Sequence, residues 1–267
     1  MGARGRTSSQ LVRKFADGDS GRSPDQVIVE EPLEIRLDGQ RVATTMRTPG
    51  NDYELAVGFC LTDGLLAGAP VLQVRYCATG SAVDTKFNVV TVDTGGHAPA
   101  PTPRLTTTTS SCGWCGTDEI DAVTDRLTPL ADRAHFDPEI LMAIPDRAHP
   151  HQELFAATGG VHAAAAFDLA GEILLVREDI GRHNAVDKVV GRLQLDGTLP
   201  ARQLGLFVSG RTSFEIVQKA WAAGFGTIVA VSAPSSLAIE AARRAGIALA
   251  GFARPGRLNL YTEPSTG

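Results

Sequence analysis

The regular succession of strand-length and helix-length runs after residue 160 constrains this chain more than any other feature. VHAAAAFD (161–168) and EILLVRED (172–179) are apolar runs that pair across a turn at Leu169–Gly171. A helical pattern over Asn184–Leu193 then precedes the strand LGLFVS, one over Phe214–Ala223 precedes TIVAVS, and one over Ser236–Ala245 precedes IALAGF. Strands alternating with helices in this order predict a three-layer α/β domain with a mostly parallel sheet. No repeat at a fixed period and no coiled-coil heptad competes with that reading.

The first half has a different texture. Leu33, Ile35 and Leu37 alternate with polar residues up to Asp38-Gly39, and the pattern resumes at Val42, so residues 27–47 predict a hairpin. Asn51 with Glu54 three residues on has the form of a capping box, and Leu55, Phe59 and Leu65 continue a helix before Gly68 and Pro70. Two further strands are expected in VLQVRYC and KFNVVTVD. Residues 94–116 hold three prolines, several glycines and few large apolar side chains, the composition of a linker or mobile loop. Helical stretches at Asp118–Leu127 and Pro138–Ile144 follow. The expected organisation is a weakly ordered tail (1–26), a smaller N-terminal β-rich domain (27–93), a mobile segment (94–116) and an α/β domain (117–267).

With 267 residues, 43% of them hydrophobic and 21% charged, the chain is long enough to bury a real core. A net charge of −5 argues against a general nucleic-acid binder. No stretch approaches the roughly 20 apolar residues that span a bilayer, and the polar N-terminus resembles no signal peptide. A cytoplasmic protein without membrane or nucleic-acid partners is expected.

In an open α/β sheet, ligands bind beyond the carboxyl ends of the strands, where helix N-termini offer free N–H groups. Three turns here carry unusual residues: IGRHNAVDK, with Arg182, His183 and Lys188; SGRTSFE, with Ser209, Gly210, Arg211 and Ser213; and APSSLAIE, with Ser235 and Ser236. Serine or threonine at any one turn can simply cap a helix. Three such turns on one edge, two of them bearing an arginine able to fork onto phosphate, point to an anion-binding edge. His162 sits in a small, apolar strand, where a lone histidine is more often a satisfied core residue, and it ranks as a secondary candidate.

The remaining chemistry lies in TTTTSSCGWCG, which places Cys112 and Cys115 three apart behind a run of hydroxyl residues. The pair supplies half of a structural zinc site, and no second half is evident; Cys60 and Cys77 stand singly in apolar segments. No metal is expected. A thioredoxin-like dithiol belongs at a strand-to-helix turn, whereas threonine and serine precede this one. A thiol that carries a group between two partners fits better: it wants a mobile arm, a second thiol close by and a helix N-terminus just beyond to favour thiolate.

Seven blocks in order, MRTPGNDYELAVGFCLTDGLL, SSCGWCG, TGGVHAAAAFD, REDIGRHNAVDKVVG, SGRTSFEIVQKA, VSAPSSLAIE and GFARPGRLNLYT, resemble the FdhD family of sulfur carrier proteins needed for formate dehydrogenase activity. The resemblance runs from about Glu34 to Thr262. It implies that a cysteine desulfurase loads a persulfide onto the CxxC loop. The sulfur then passes to the bis-molybdopterin guanine dinucleotide form of the molybdenum or tungsten cofactor, destined for the formate dehydrogenase catalytic subunit. Cys112 matches the persulfide-bearing cysteine and Cys115 its partner. Phe252, Ala253, Arg254, Pro255, Gly256 and Arg257 match the cofactor-contacting segment, and the cofactor's end makes a GDP-like nucleotide an expected ligand. The family likeness also implies a cytidine-deaminase-like domain and a homodimer. Deamination itself is excluded, because His162-Ala163-Ala164 lacks the glutamate of an H-x-E motif and both nearby cysteines lie upstream. A rival reading is a chaperone that only holds the cofactor, its CxxC serving as redox protection. Arg182, Arg211, Arg254 and Arg257 are expected to converge with three helix N-termini around one cavity.

Overall fold

The structure, a computed structural model, describes residues 5–16, 19–77, 81–100, 127–131 and 134–263. Cys112, Cys115, most of the 94–116 segment and most of the expected Asp118–Leu127 helix lie outside the described residues.

A four-stranded sheet opens the body, in the order β4-β3-β6-β5, from β3 (Glu31–Leu37), β4 (Gln40–Arg47), β5 (Gln73–Tyr76) and β6 (Val89–Asp93). Asp38 and Gly39, both at positive φ, make the β3–β4 turn, as an Asp-Gly hairpin requires. Leu33, Ile35 and Leu37 point to one face and are buried with Val90 and Val92 under α1 (Asp52–Thr62). The capping box does not form. Asn51 is left-handed with no side-chain bond to the helix, and Glu54 turns to Arg177 instead, at 2.5 and 2.8 Å. Ordered structure also continues past residue 93: Thr94 is fully buried and donates through its N–H and hydroxyl to Asp38, and Ala98 packs on the same core.

The second sheet has six strands, in the order β12-β11-β10-β9-β7-β8: β7 (His162–Phe167), β8 (Ile173–Asp179), β9 (Gly205–Val208), β10 (Thr227–Ala230), β11 (Ala248–Arg254) and β12 (Arg257–Thr262). Its helices are α2 (Pro138–Ala148), α3 (Glu153–Thr158), α4 (Arg182–Leu195), α5 (Phe214–Ala223) and α6 (Ser236–Ala245). The sheet is mixed, which corrects the mostly parallel expectation: β9–β10 and β10–β11 pair in parallel, whereas β7–β8, β7–β9 and β11–β12 pair antiparallel. Helical crossovers do keep β8, β9, β10 and β11 pointing one way. The hairpin strand β7 is wedged between β8 and β9, and the hairpin β11–β12 closes the far edge. Side chains alternate between two cores: Ala164, Leu206, Val208 and Ile228 face α4, α5 and α6, while Ala165, Phe167, Phe207 and Val229 face α2.

The expected weakly ordered tail is instead a hairpin. β1 (Thr7–Ala16) and β2 (Asp19–Ile28) pair antiparallel as a separate two-stranded sheet. Its strands alternate serine, arginine and isolated apolar residues, a pattern too polar to stand out beside the buried strands; the Asp17-Gly18 dipeptide was the available signal. The two sheet units are joined through α1, which is buried nearly all round and packs along α4. Among the described residues, no helix is long and apolar enough to cross a membrane.

Candidate functional site

Strand direction brings the predicted residues to one edge of the six-stranded sheet. His162 opens β7, Arg182 and His183 open α4 just after β8, and Ser209, Gly210, Arg211 and Ser213 link β9 to α5. Phe252, Ala253 and Arg254 end β11, Pro255 and Gly256 turn, and Arg257 starts β12. Since β8, β9 and β11 end where β7 and β12 begin, all of these lie along the same rim.

The rim is held by a buried carboxylate. Asp179, fully buried, accepts from the N–H groups of Thr48 (3.1 Å) and Gly181 (2.8 Å), from Asn184 Nδ2 (2.9 Å) and from Lys188 Nζ (2.7 Å). Lys188 also donates to the carbonyls of Thr48 and Glu178. Lys188 is therefore a buried strut, not the free cation its place beside Arg182 and His183 suggested. One turn round the helix from Asn184, it faces inward and finds the charge that burial demands. Thr48, which sequence reasoning passed over, ties the first unit to this loop, since its hydroxyl also accepts from the Ile180 N–H. Glu178 caps α3 by accepting from the N–H groups of Leu154 and Phe155, both at 2.8 Å.

Several candidates have internal partners. Ser209 Oγ accepts from the Ala163 N–H at 2.8 Å, and His183 Nε2 lies 3.2 Å from Ser213 Oγ and 3.8 Å from Glu215. Burial pushes the Glu215 carboxyl up, but the Ser213 hydroxyl, its own backbone N–H and the charges of His183 and Arg182 outweigh it, and the net direction is down. His162 is half-buried. Burial lowers its pKa, the Arg182 and Arg211 guanidinium groups lower it further, and Asp179 opposes them; the net shift below 6.5 leaves the imidazole neutral at pH 7. Gly210 lets the ring approach: a Cβ there would stand 3.2 Å from His162 Nδ1.

Two groups at the rim are buried without any protein partner, Arg182 Nε and the hydroxyl of Thr212, a residue only 1% exposed. A buried polar atom left unpaired is costly unless something outside the chain completes it. Arg254 and Arg257 add a second anomaly. They are cross-strand partners on β11 and β12, both exposed, and neither has an ion pair among the described residues. Like charges facing each other across a ladder repel, and a polyanion between them would relieve that.

A cavity of about 570 Å³ lies beside these groups, lined by His162, Ser209, Gly159 and Gly160 together with Asp146, His149, Gln152 and Phe155. The last four sit on or next to α2 and α3, and no motif marked them. A second depression of about 530 Å³ runs beneath Pro255 and Gly256 against Glu139 and Asp146, so Asp146 borders both. The four arginines share the rim, and none of them lines either of these two hollows. Among the described residues, no cluster of His, Cys, Asp and Glu could hold a metal ion.

The fold defines a mixed α/β protein whose larger sheet carries arginine-bearing turns along one rim at its strand ends. The chain belongs to the FdhD/NarQ family, whose sequence profile matches residues 28–266. It is 46% identical to the sulfur carrier protein FdhD of Streptomyces avermitilis, over 96% of this chain and 93% of that one. It is 45% identical to the sulfur carrier protein FdhD of Mycolicibacterium paratuberculosis, over 96% and 97%. The crystal structure of a putative formate dehydrogenase accessory protein from Desulfotalea psychrophila shares the fold, with a TM-score of 0.75 at 22% identity over 98% of this chain and 99% of that one.

Proposed function

We propose that this protein is a cytoplasmic sulfurtransferase. It accepts sulfur from a cysteine desulfurase on Cys112 and delivers it to the bis-molybdopterin guanine dinucleotide cofactor of formate dehydrogenase, working as a homodimer on a cytidine-deaminase-like layering. Membership of a family whose relatives are named sulfur carriers supports the sulfur chemistry. The observation that carries the cofactor half is the pair of orphaned rim groups, Arg182 Nε and the Thr212 hydroxyl, beside the unpaired cross-strand arginines Arg254 and Arg257. A cofactor with two diphosphates fits such a rim. Arg182, Thr212, Arg254 and Arg257 would hold phosphate, and the cavity beside His162 offers room for a base.

In the transfer, the Cys112 thiolate attacks the outer sulfur of a donor persulfide, and the donor leaves as thiolate. Cys115 can then attack the inner sulfur of the Cys112 persulfide; a disulfide forms and both electrons of the broken bond depart on the released sulfide. The decisive test is mass spectrometry after incubation with a desulfurase and cysteine. Cys112→Ser should abolish the gain of one sulfur atom, whereas Cys115→Ser should keep part of it and impair delivery. If Cys112→Ser still supports formate dehydrogenase, the chain only holds the cofactor. Calorimetry with GDP tests the rim: binding that is absent, or unchanged in Arg254→Ala, removes the cofactor assignment.

A further inference from the structure

The end of the molecule opposite the arginine-bearing rim carries two apolar hollows that meet at Pro200. One, of about 400 Å³, is lined by Leu61, Leu66, Leu127, Leu199 and Ala222. The other, of about 840 Å³, lies between the start of β8 and the link from α4 to β9, over Leu174, Leu193 and Leu204. β8 is an edge strand, and Leu174 is the extra residue of a bulge in it. Its neighbours Ile173 and Leu175 pair with Phe167 and Ala166 and pack into the two cores, while Leu174 is left 56% exposed. A bare leucine on a sheet edge is a hazard unless a partner covers it. Of the arginines that line the larger hollow, Arg177 is held by Glu54 and Arg192 by Asp196 at 2.8 Å, whereas Arg202 is exposed and has no ion pair among the described residues.

We propose that this double groove is the docking surface for the protein that donates sulfur, which enters it with a segment of apolar side chains and sets a carboxylate on Arg202. The inference rests on the sulfur-carrier reading above and adds the place of loading. The chain that bears Cys112 and Cys115 leaves and rejoins the body here. Ala98 packs on the core that holds Leu65 and Leu66, and Leu127 stands in the wall of the smaller hollow. A donor seated in the groove is therefore beside both roots of that stretch. Strand direction separates the two tasks, since β8 and β9 start at this end and run to the rim, and α4 and α5 begin at the rim and finish here. A docked protein leaves the rim open to an anion. Charge sets the approach: a chain of net charge −5 repels an acidic partner over much of its surface, and the unpaired Arg202 at the groove gives a carboxylate one favoured register. Exposed apolar surface flanked by charge marks protein contacts, and a small contact, under about 1,200 Å², suits a donor that must leave after each transfer.

Loading of Cys112 by two routes decides it: by a purified cysteine desulfurase with cysteine, and by inorganic polysulfide, which needs no docking. Leu174→Asp with Arg202→Glu alters the larger hollow, and Ala67→Glu the mouth of the smaller one; all three side chains are exposed, so the circular dichroism spectrum should match the parent's. Each variant should bind the desulfurase at least about tenfold more weakly in biolayer interferometry and gain desulfurase-derived persulfide correspondingly slowly, while polysulfide loads it as it loads the parent. Unchanged desulfurase binding and loading in both variants overturns the docking site and leaves sulfur transfer standing. A parent that neither route loads on Cys112 removes sulfur transfer and the docking site with it. Variants that load poorly from polysulfide too, or whose mass in sedimentation differs from the parent's, also overturn the proposal, because the groove then serves the fold or a second copy.

Discussion

Gly58 of α1 and Gly191 of α4 lie face to face where the two helices cross. A Cβ on Gly58 would stand 1.8 Å from the carbonyl oxygen of Asp187, and one on Gly191 would stand 1.8 Å from that of Glu54. The helices touch backbone to backbone, and this contact makes one body of the two sheet units. Gly58→Ala or Gly191→Ala must push the helices apart, at a cost of about 3 kcal/mol or more. Urea unfolding should show that loss, whereas Gly21→Ala in the β1–β2 hairpin, with nothing within 4 Å of its Cβ, should stay within about 0.5 kcal/mol of the parent.

One turn along α4, Asp187 forms the second joint. Its carboxylate accepts from Lys219 Nζ at 2.8 Å on both oxygens and from the Thr62 hydroxyl at 2.8 Å. Lys219→Met leaves that carboxylate buried without its cation, for a loss of about 3–5 kcal/mol. The double variant with Asp187→Asn should be less damaged than Lys219→Met alone, and equal damage in denaturant titrations would show that the pair is not coupled.

Burial raises the Asp187 carboxyl to about 6 against the pull of Lys219. A folded pKa above the unfolded 3.8 means that the folded chain holds this proton more tightly. Its contribution to stability is complete below pH 3.8 and is withdrawn as the pH rises through about 6. Stability measured across that window should flatten in Asp187→Asn.

His162 works in the opposite sense. Its folded pKa lies below 6.5, so the stability tied to the neutral ring is present above pH 6.5 and lost as the pH falls through the folded value. An anion bound between Arg182 and Arg211 offsets their charge. The His162 ring proton, followed by NMR, should titrate below 6.5 in the free protein and move upward on adding pyrophosphate. No movement would place the anion elsewhere.

Thr212→Val removes a buried hydroxyl that has no partner in the chain. The free protein should gain up to about 1 kcal/mol of stability, because the desolvation cost disappears. GDP affinity measured by calorimetry should fall. A variant that is both less stable and equally good at binding would mean that the hydroxyl serves the fold.

Local chemistry was legible in the chain itself. The helices Phe214–Ala223 and Ser236–Ala245, the Asp38-Gly39 turn and the alternation of Leu33, Ile35 and Leu37 all follow from period and turn residues, which neighbours in sequence determine. So did the CxxC pair and the arginine- and serine-bearing turns at the ends of β8 and β9. Tertiary structure decided what depends on partners distant in sequence. The insertion of β7 between β8 and β9 is a choice of neighbour that no strand encodes alone. Lys188 became a strut because Asp179 and the Thr48 carbonyl surround it; Arg254 and Arg257 stand as neighbours because the β11–β12 register sets them opposite. Gly58 and Gly191, 133 positions apart, matter only as a pair. Burial and like-charge opposition are properties of pairs, and pairs exist only once the chain has folded.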